Sequence, residues 1–233
     1  MIAENDKKHF SYECKQQATE AERTANQKLQ QLKESLVTPT YNVTIQDFYA
    51  VKAQIEASQL YSVLSKMPKG GLHHVHTTAA PHVEVFIELT YDPVTFYNER
   101  QGLFKVFTNY ADKEDGFVQC IEMRRWYQNP KDYDDILRRQ ILLTREEQAG
   151  LESHDIWGFF QHKFARIGGL AKYRPFFERL LRANIESCLE QNIFIVELRH
   201  TTGCIFETQK DSQGPRLNST NETMPLLDEL AMI

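Results

Sequence analysis

The sequence lacks the features of a membrane protein and of a nucleic-acid-binding protein. None of its 233 residues lie in an apolar run of about 18, the length that a transmembrane helix needs. The opening residues have neither the apolar segment nor the small-residue cleavage pattern of a signal peptide. Acidic residues outnumber basic ones by 32 to 27, for a net charge of −5, so there is no general basic field. We expect no membrane span, no nucleic-acid partner and no signal peptide in this chain.

Cysteine is scarce, and its spacing matches no known metal-binding or redox motif. The four cysteines have no C-x-x-C spacing, which argues against a zinc ribbon, a thioredoxin-type motif or a dense disulfide framework. Three N-x-S/T triplets, at Asn42, Asn218 and Asn221, would accept glycans if the chain entered a secretory pathway. They favour secretion only slightly, because such triplets also arise by chance.

The first quarter of the chain reads as helical. Residues 12–36 are polar, contain no Gly or Pro, and carry leucines on one helical face, which predicts an exposed helix. After a Thr-Pro-Thr break, Thr44 can cap a second helix whose apolar positions recur at three and four residues, from Phe48 to Leu64. We assign residues 1–66 to a helical leader.

A short strand follows this leader. Pro68 and the glycine pair at 70–71 end the helical pattern, and residues 72–76 are short and bounded like a strand. Residues 83–150 contain β-like runs at 83–87 and 103–107 and a helix-prone segment at 132–148. We treat 67–82 as the strand segment and 83–150 as an insertion.

The last part, 151–233, predicts two helices, a strand and the start of another helix. Asp155 can cap a helix that carries an apolar stripe and ends at Gly168-Gly169, and a second helix begins near Pro175. The apolar run at 193–199 is typical of a strand covered on both faces. A strand, a helical crossover and a second strand together imply parallel pairing. Residues 211–221 read as a polar loop, and 225–233 as the first turns of a helix. The apolar stripe of the first helix is expected to pack in the protein core. It consists of Trp157, Phe160, Phe164 and Ile167.

Two histidines in the first strand are the candidate metal ligands. Side chains two residues apart on a strand point to the same face, so His74 and His76 can reach one zinc ion. His73 is expected on the opposite face, although pairing of His73 with another residue stays open. His200 reads as a loop histidine without a role, and His154 and His162 as surface or capping residues. Glu197 in the second strand is expected to pair with Arg199 on the same face.

The segment around these histidines resembles a known family. Residues 67–76 read MPKGGLHHVH and are followed by Ala79 and Ala80. This block resembles the opening strand of the adenosine deaminase family, in its extended branch of adenosine deaminase-related growth factors. The helical leader, the insertion and the later Val196-Glu197-Leu198-Arg199 strand fit that branch, so the resemblance covers about residues 45–200.

The resemblance implies an α/β fold, the (β/α)8 TIM barrel, and a zinc-dependent deaminase. Such an enzyme hydrolyses adenosine or 2′-deoxyadenosine to inosine and ammonia. Zinc would be held by His74, His76, a third histidine and an aspartate, and a glutamate would protonate the purine ring. The last three groups are expected on later strands, so this chain is predicted to hold only the first two barrel strands and to be inactive alone. The alternative is a non-catalytic, growth-factor-like fragment that mediates dimerisation or receptor contact.

The sequence departs from the pattern of this branch at two positions. Thr77 occupies the place of an acidic residue expected to touch the ribose, which puts substrate preference in doubt. Cys120 resembles the second of two paired cysteines, but residues 91–97 offer no first, so it is expected to be a free thiol. The resemblance implies an adenosine-type nucleoside as substrate, a homodimer through the leader, and an extracellular location, with a cytoplasmic one as the alternative.

Overall fold

The fold is mixed α/β and divides into two compact units. The computed structural model describes residues 18–38, 41–152 and 155–206, and the backbone of 209–211 and 214–216. The first unit is Met1–Pro68 and the second is Lys69–Ile233. Within the described ranges, no helix is both long and apolar enough to cross a bilayer.

The first unit is helical. Helix α1 (Glu20–Glu34) begins with a capping box formed by Thr19 and Glu22 and has no buried residue, which confirms an exposed helix over these residues. Leu36, the last residue of the predicted helix, lies beyond its end and is buried. A 3-10 helix spans Val43–Ile45. Helices α2 (Phe48–Glu56) and α3 (Gln59–Leu64) follow, and the small core consists of Leu36, Val43 and Val51.

The single helix predicted from Thr44 is wrong. Thr44 lies in the 3-10 helix, and α2 instead begins at Asp47, whose carboxylate accepts the Ala50 N–H. The helical run is broken because Ser58 caps a new helix, with its hydroxyl accepting the Tyr61 N–H. Local capping therefore outweighs the continuous apolar spacing.

The second unit begins with one strand, and a parallel partner strand follows its helices. Strand β1 (Leu72–His76) and strand β5 (Val196–Arg199) pair in parallel, as predicted. Leu72 lies opposite Val196 and His76 opposite Arg199, with an irregularity in register between Leu72 and Val75.

The prediction that residues 193–199 are covered on both faces is wrong. Val196 and Leu198 are half-buried, and Leu198 packs against Phe177 and Leu181, whereas Glu197 and Arg199 are exposed. Exposure is also high at Phe194 and Ile195. One face of the strand is therefore packed within the described residues and the other is open.

Between these strands lies a region with its own small sheet. Helix α4 (Val83–Leu89) is followed by strands β2 (Thr95–Asn98), β3 (Leu103–Val106) and β4 (Val118–Gln119), which pair antiparallel in the order β3-β2-β4. A 3-10 helix spans Tyr110–Asp112. Helices α5 (Cys120–Arg124), α6 (Pro130–Ile141) and α7 (Arg145–Ala149) follow, so the segment predicted to be helical at 132–148 forms two helices.

The β-like run predicted at 83–87 is a helix, whereas the run at 103–107 is a strand as predicted. His82 caps α4, and Phe86, Ile87 and Leu89 are buried in the main core of the unit. Glu84 on the other side of α4 forms an ion pair with Arg138 of α6 at 2.6 Å. Packing against α6 selects the helix, because a short apolar run fits a buried helix as well as a strand.

Two long helices complete the described part of the unit. Helix α8 (Ile156–Ala171) does not end at the glycine pair as predicted but continues through it. Helix α9 (Arg174–Glu190) carries its proline in the first turn and buries Phe177, Leu181 and Cys188, although Ile185 of the predicted stripe is exposed. Asn192, with a φ of 58°, follows its end.

Two smaller predictions are also corrected. Trp157 and Phe160 of α8 are exposed rather than core residues, with 65% of Trp157 accessible to solvent. Strand β7 (Gly214–Arg216) lies within the predicted polar loop at 211–221 and pairs antiparallel with strand β6 (Gln209–Asp211). The helix predicted at 225–233 lies outside the described residues.

Candidate metal centre

His74 and His76 stand side by side on the open face of β1. Their Nε2 atoms are 3.1 Å apart and their ring centroids 5.0 Å apart. Both residues are exposed, whereas Val75 between them is half-buried opposite Leu198. The two-residue period of the strand thus places both imidazoles on the same face, and their Nε2 atoms face each other.

This spacing fits two ligands of one zinc ion. Two nitrogens at 2.0–2.1 Å from a tetrahedral ion are about 3.3–3.4 Å apart, so the observed separation needs only a few tenths of an ångström of adjustment. No group of three or more His, Cys, Asp or Glu side chains in the described ranges could hold a metal ion. The pair could therefore supply two ligands to one ion, and the described residues supply no third.

His73 is predicted on the face opposite the pair, but the structure places its ring elsewhere. Its Nδ1 lies 2.8 Å from the Glu197 carboxylate, and Arg199 donates to the His73 carbonyl at 2.7 Å and to Glu197 at 3.3 Å. Arg199 lies opposite His76 and two residues from Glu197 on the same face of β5, so the contact with Glu197 places the His73 ring on the face of the pair. The irregular register in β1 explains the correction, because such a bulge re-aims a side chain.

The Glu197–Arg199 pair is confirmed, although it lies on the exposed face of β5 rather than in a buried strand. The hydrogen bond from His73, with that from Arg199, lowers the pKa of the Glu197 carboxyl. Glu197 therefore stays ionised and anchors His73 across the two strands.

The residues that follow β1 and β5 also meet. Thr77 is buried, and its Oγ1 lies 3.1 Å from Nδ1 of His200, whose ring centroid is 5.2 Å from that of Phe177. His200, predicted to be a loop histidine without a role, thus contacts the residue that follows the histidine pair. One sequence signal indicates this contact: Thr77 and His200 each directly follow a strand of the predicted parallel pair.

The other predicted residues lie away from the pair or outside the described ranges. His162 is exposed on α8, and His154 lies outside the described residues. Cys120 is a free, fully buried thiol, as predicted. Burial raises the pKa of this thiol to about 12, so it has no nucleophilic character at neutral pH.

The fold is therefore mixed α/β, with two adjacent imidazoles on the open face of a parallel strand pair. Comparison with curated proteins then gives the relatives of this chain. It is 26% identical to an adenosine deaminase of Lutzomyia longipalpis over 193 residues, which cover 80% of this chain and 38% of the relative. It is 26% identical to adenosine deaminase 2 of Sus scrofa over 203 residues, covering 81% and 40%, and 25% identical to adenosine deaminase 2 of Homo sapiens over 187 residues, covering 76% and 36%.

These matches confirm the resemblance found in the sequence. The chain is homologous to adenosine deaminases, including adenosine deaminase 2 proteins of the growth factor family. It spans about two fifths of the length of these relatives. No family model matches the chain.

Proposed function

We propose that this chain forms the N-terminal part of a zinc-dependent purine nucleoside deaminase. The reaction is the hydrolysis of adenosine or 2′-deoxyadenosine, which gives inosine or its deoxy form and ammonia. The observation that carries the proposal is the 3.1 Å separation of the His74 and His76 Nε2 atoms on a strand of a parallel pair. The homology to adenosine deaminases supports the same assignment.

His74 and His76 would hold the zinc ion through Nε2. Zinc in such a site acts as a Lewis acid and lowers the pKa of a bound water. The pair lies at the carboxyl end of β1, where the functional groups of parallel barrels collect. The strand pair is proposed as the first two strands of a (β/α)8 barrel.

The chain by itself is proposed to be inactive. The described residues would supply two of the four ligands of a tetrahedral ion. Hydrogen bonds from His73 and Arg199 lower the pKa of the Glu197 carboxyl on the adjacent strand, which makes it a poor proton donor. The remaining ligands and the acid that protonates the purine are proposed to come from strands outside this chain.

Zinc titration of the purified chain tests the metal pair. We expect the H74A/H76A double variant to lose the site that the wild type shows by calorimetry. The H162A variant, which removes an exposed imidazole from α8, is the matched control and should bind as the wild type does. Equal binding by the double variant and the wild type would overturn the metal assignment. Release of ammonia from adenosine by the chain alone would overturn its proposed inactivity.

A second candidate function, self-association through the helical leader, has its own support. The most exposed large apolar side chains among the described residues of the first unit are Ile45 (77%), Tyr49 (63%) and Phe48 (57%). Exposed apolar groups this close in sequence favour a protein interface over open solvent. We propose that this surface, the leader patch, binds a second copy of the chain.

Sedimentation equilibrium tests the leader patch. An F48E/Y49E variant should be monomeric at concentrations where the wild type is dimeric. W157E places a charge at an equally exposed aromatic residue of the second unit and should leave the dimer intact. A wild-type chain that is monomeric at all concentrations would rule out the homodimer.

A further inference from the structure

Thr77, the residue directly after His76, is a buried polar junction between three elements. Its N–H donates to the Arg199 carbonyl at 3.2 Å, at the end of β5. Its carbonyl accepts from Nδ2 of Asn184, a buried residue of α9, at 3.2 Å. Its hydroxyl contacts Nδ1 of His200 at 3.1 Å. Every polar group of Thr77 is thus engaged, and only 1% of the residue is exposed.

This junction fixes the backbone at the histidine pair. A buried hydroxyl or amide costs free energy unless it is hydrogen-bonded, so the three contacts allow Thr77 one position. On the other side of His76, Val75 pairs with Leu198 of β5. The backbone of His76 is therefore held from both directions, whereas its exposed ring contacts the ring of His74.

His200 is the side-chain partner of Thr77 at this junction. Its Nδ1 is directed to the Thr77 hydroxyl, and its ring contacts Phe177. No described set of three ligand-type side chains includes it. His200 thus contacts both Thr77 and Phe177.

We propose that Thr77 is a positioning residue for the histidine pair, acting with His200 and Asn184 to keep the His76 nitrogen in place for metal binding. The proposal rests on the proposed zinc site at His74 and His76. Two ligands on an exposed strand bind a metal well only if their spacing is set beforehand. Groups outside the ligand shell typically change metal affinity 10–100-fold, and because Thr77 acts through the backbone we expect about tenfold.

Metal binding by matched variants tests this role. T77V removes the hydroxyl at nearly constant volume and should weaken Zn²⁺ binding about tenfold, while T77S keeps the hydroxyl and should restore it. T95V is the control, because Thr95 is equally buried and its hydroxyl donates to the Leu89 carbonyl at 2.7 Å, far along the chain from the pair. T95V should lower stability without changing Zn²⁺ affinity. The visible spectrum of bound Co²⁺ should change in T77V only.

Variants of His200 test the same contact independently, in case T77V does not fold. H200F keeps a ring against Phe177 but removes the partner of the Thr77 hydroxyl, and H200N retains a polar group near the Nδ1 position. We expect H200F to weaken Zn²⁺ binding as T77V does, H200N to recover it, and the double variant T77V/H200F to be no weaker than either single one.

The outcomes separate this proposal from the zinc site itself. Wild-type affinity in folded T77V and H200F, with binding that still depends on His74 and His76, would overturn the positioning role and leave the zinc site standing. A wild-type chain whose Zn²⁺ binding is unaffected by H74A/H76A would overturn both.

Discussion

The imidazole of His73 and the carboxylate of Glu197 meet at 2.8 Å across the parallel strands β1 and β5. Arg199 donates to both residues, which closes a small ring of contacts beside the histidine pair. All three residues are exposed, so this ring depends on charge rather than on burial.

The first prediction concerns pH. The pKa of Glu197 is lowered in the folded chain by the hydrogen bond from His73 and then by that from Arg199. A carboxyl whose folded pKa is depressed contributes stability above its unfolded pKa and loses it as the pH falls through the folded pKa. The urea midpoint of the wild type should therefore exceed that of E197Q at neutral pH.

This difference should shrink as the pH falls below about 4.3, the ordinary value for a glutamate. E190Q, which removes an exposed carboxylate at the end of α9, controls for the loss of one charge. A gap between wild type and E197Q that stays constant from pH 7 to pH 3 would contradict the linkage.

The second prediction concerns two adjacent glycines of α8. A Cβ on Gly169 would overlap the carbonyl oxygen of Phe104 in β3, whereas a Cβ on Gly168 would meet nothing within 4 Å. G169A should destabilise the chain by about 1–3 kcal/mol through overpacking. G168A should be neutral or stabilise it by up to about 1 kcal/mol through helix propensity. Thermal denaturation measures both, and equal effects would show that α8 does not pack closely on β3.

The third prediction concerns a buried ion pair in the core of the second unit. Arg124 donates to Asp134 Oδ1 at 2.9 and 2.6 Å and to the Thr90 carbonyl at 2.8 Å. D134A leaves the buried guanidinium without its carboxylate and should cost about 3–5 kcal/mol. D135A removes the neighbouring, exposed partner of Arg138 and should cost less than about 1 kcal/mol. Urea denaturation of the two variants compares them, and a small effect of D134A would mean that Arg124 reaches solvent.

The fourth prediction concerns thiol reactivity. Burial raises the pKa of Cys120 to about 12, so almost none of it is thiolate at pH 8. Cys204 is only half-buried. Iodoacetamide should therefore label Cys204 in the native chain and reach Cys120 only after denaturation, as peptide mass spectrometry would show. Labelling of native Cys120 as fast as that of Cys204 would contradict its burial.

The fifth prediction links the leader to the proposed extracellular location. The Asn42 carboxamide oxygen accepts from the N–H and hydroxyl of Thr44, at 2.9 and 2.7 Å, in the triplet Asn42-Val43-Thr44. Thr44 is exposed. Secreted from eukaryotic cells behind a foreign signal peptide, an N218Q/N221Q chain should lose mass on N-glycosidase treatment. Adding N42Q or T44A should abolish this loss, and an unmodified N218Q/N221Q chain would contradict the prediction.

The sequence by itself determined the features that depend on local periodicity. The two-residue period of a strand places His74 and His76 on one face, and the spacing of Phe177, Leu181 and Cys188 predicts the buried side of α9. The MPKGG block that precedes the histidines indicated the family. Parallel pairing followed from a long helical crossover, because two adjacent parallel strands cannot be joined by a short turn.

Tertiary structure decided which faces are covered and which distant residues meet. Packing on α6 makes 83–89 a helix, and the register irregularity in β1 turns His73 toward Glu197. Thr77 and His200 are 123 positions apart, and Trp157 is exposed although its spacing resembles that of a core residue. Local spacing fixes the side of an element on which a residue lies, but the neighbour on that side is set by contacts between segments far apart in the chain.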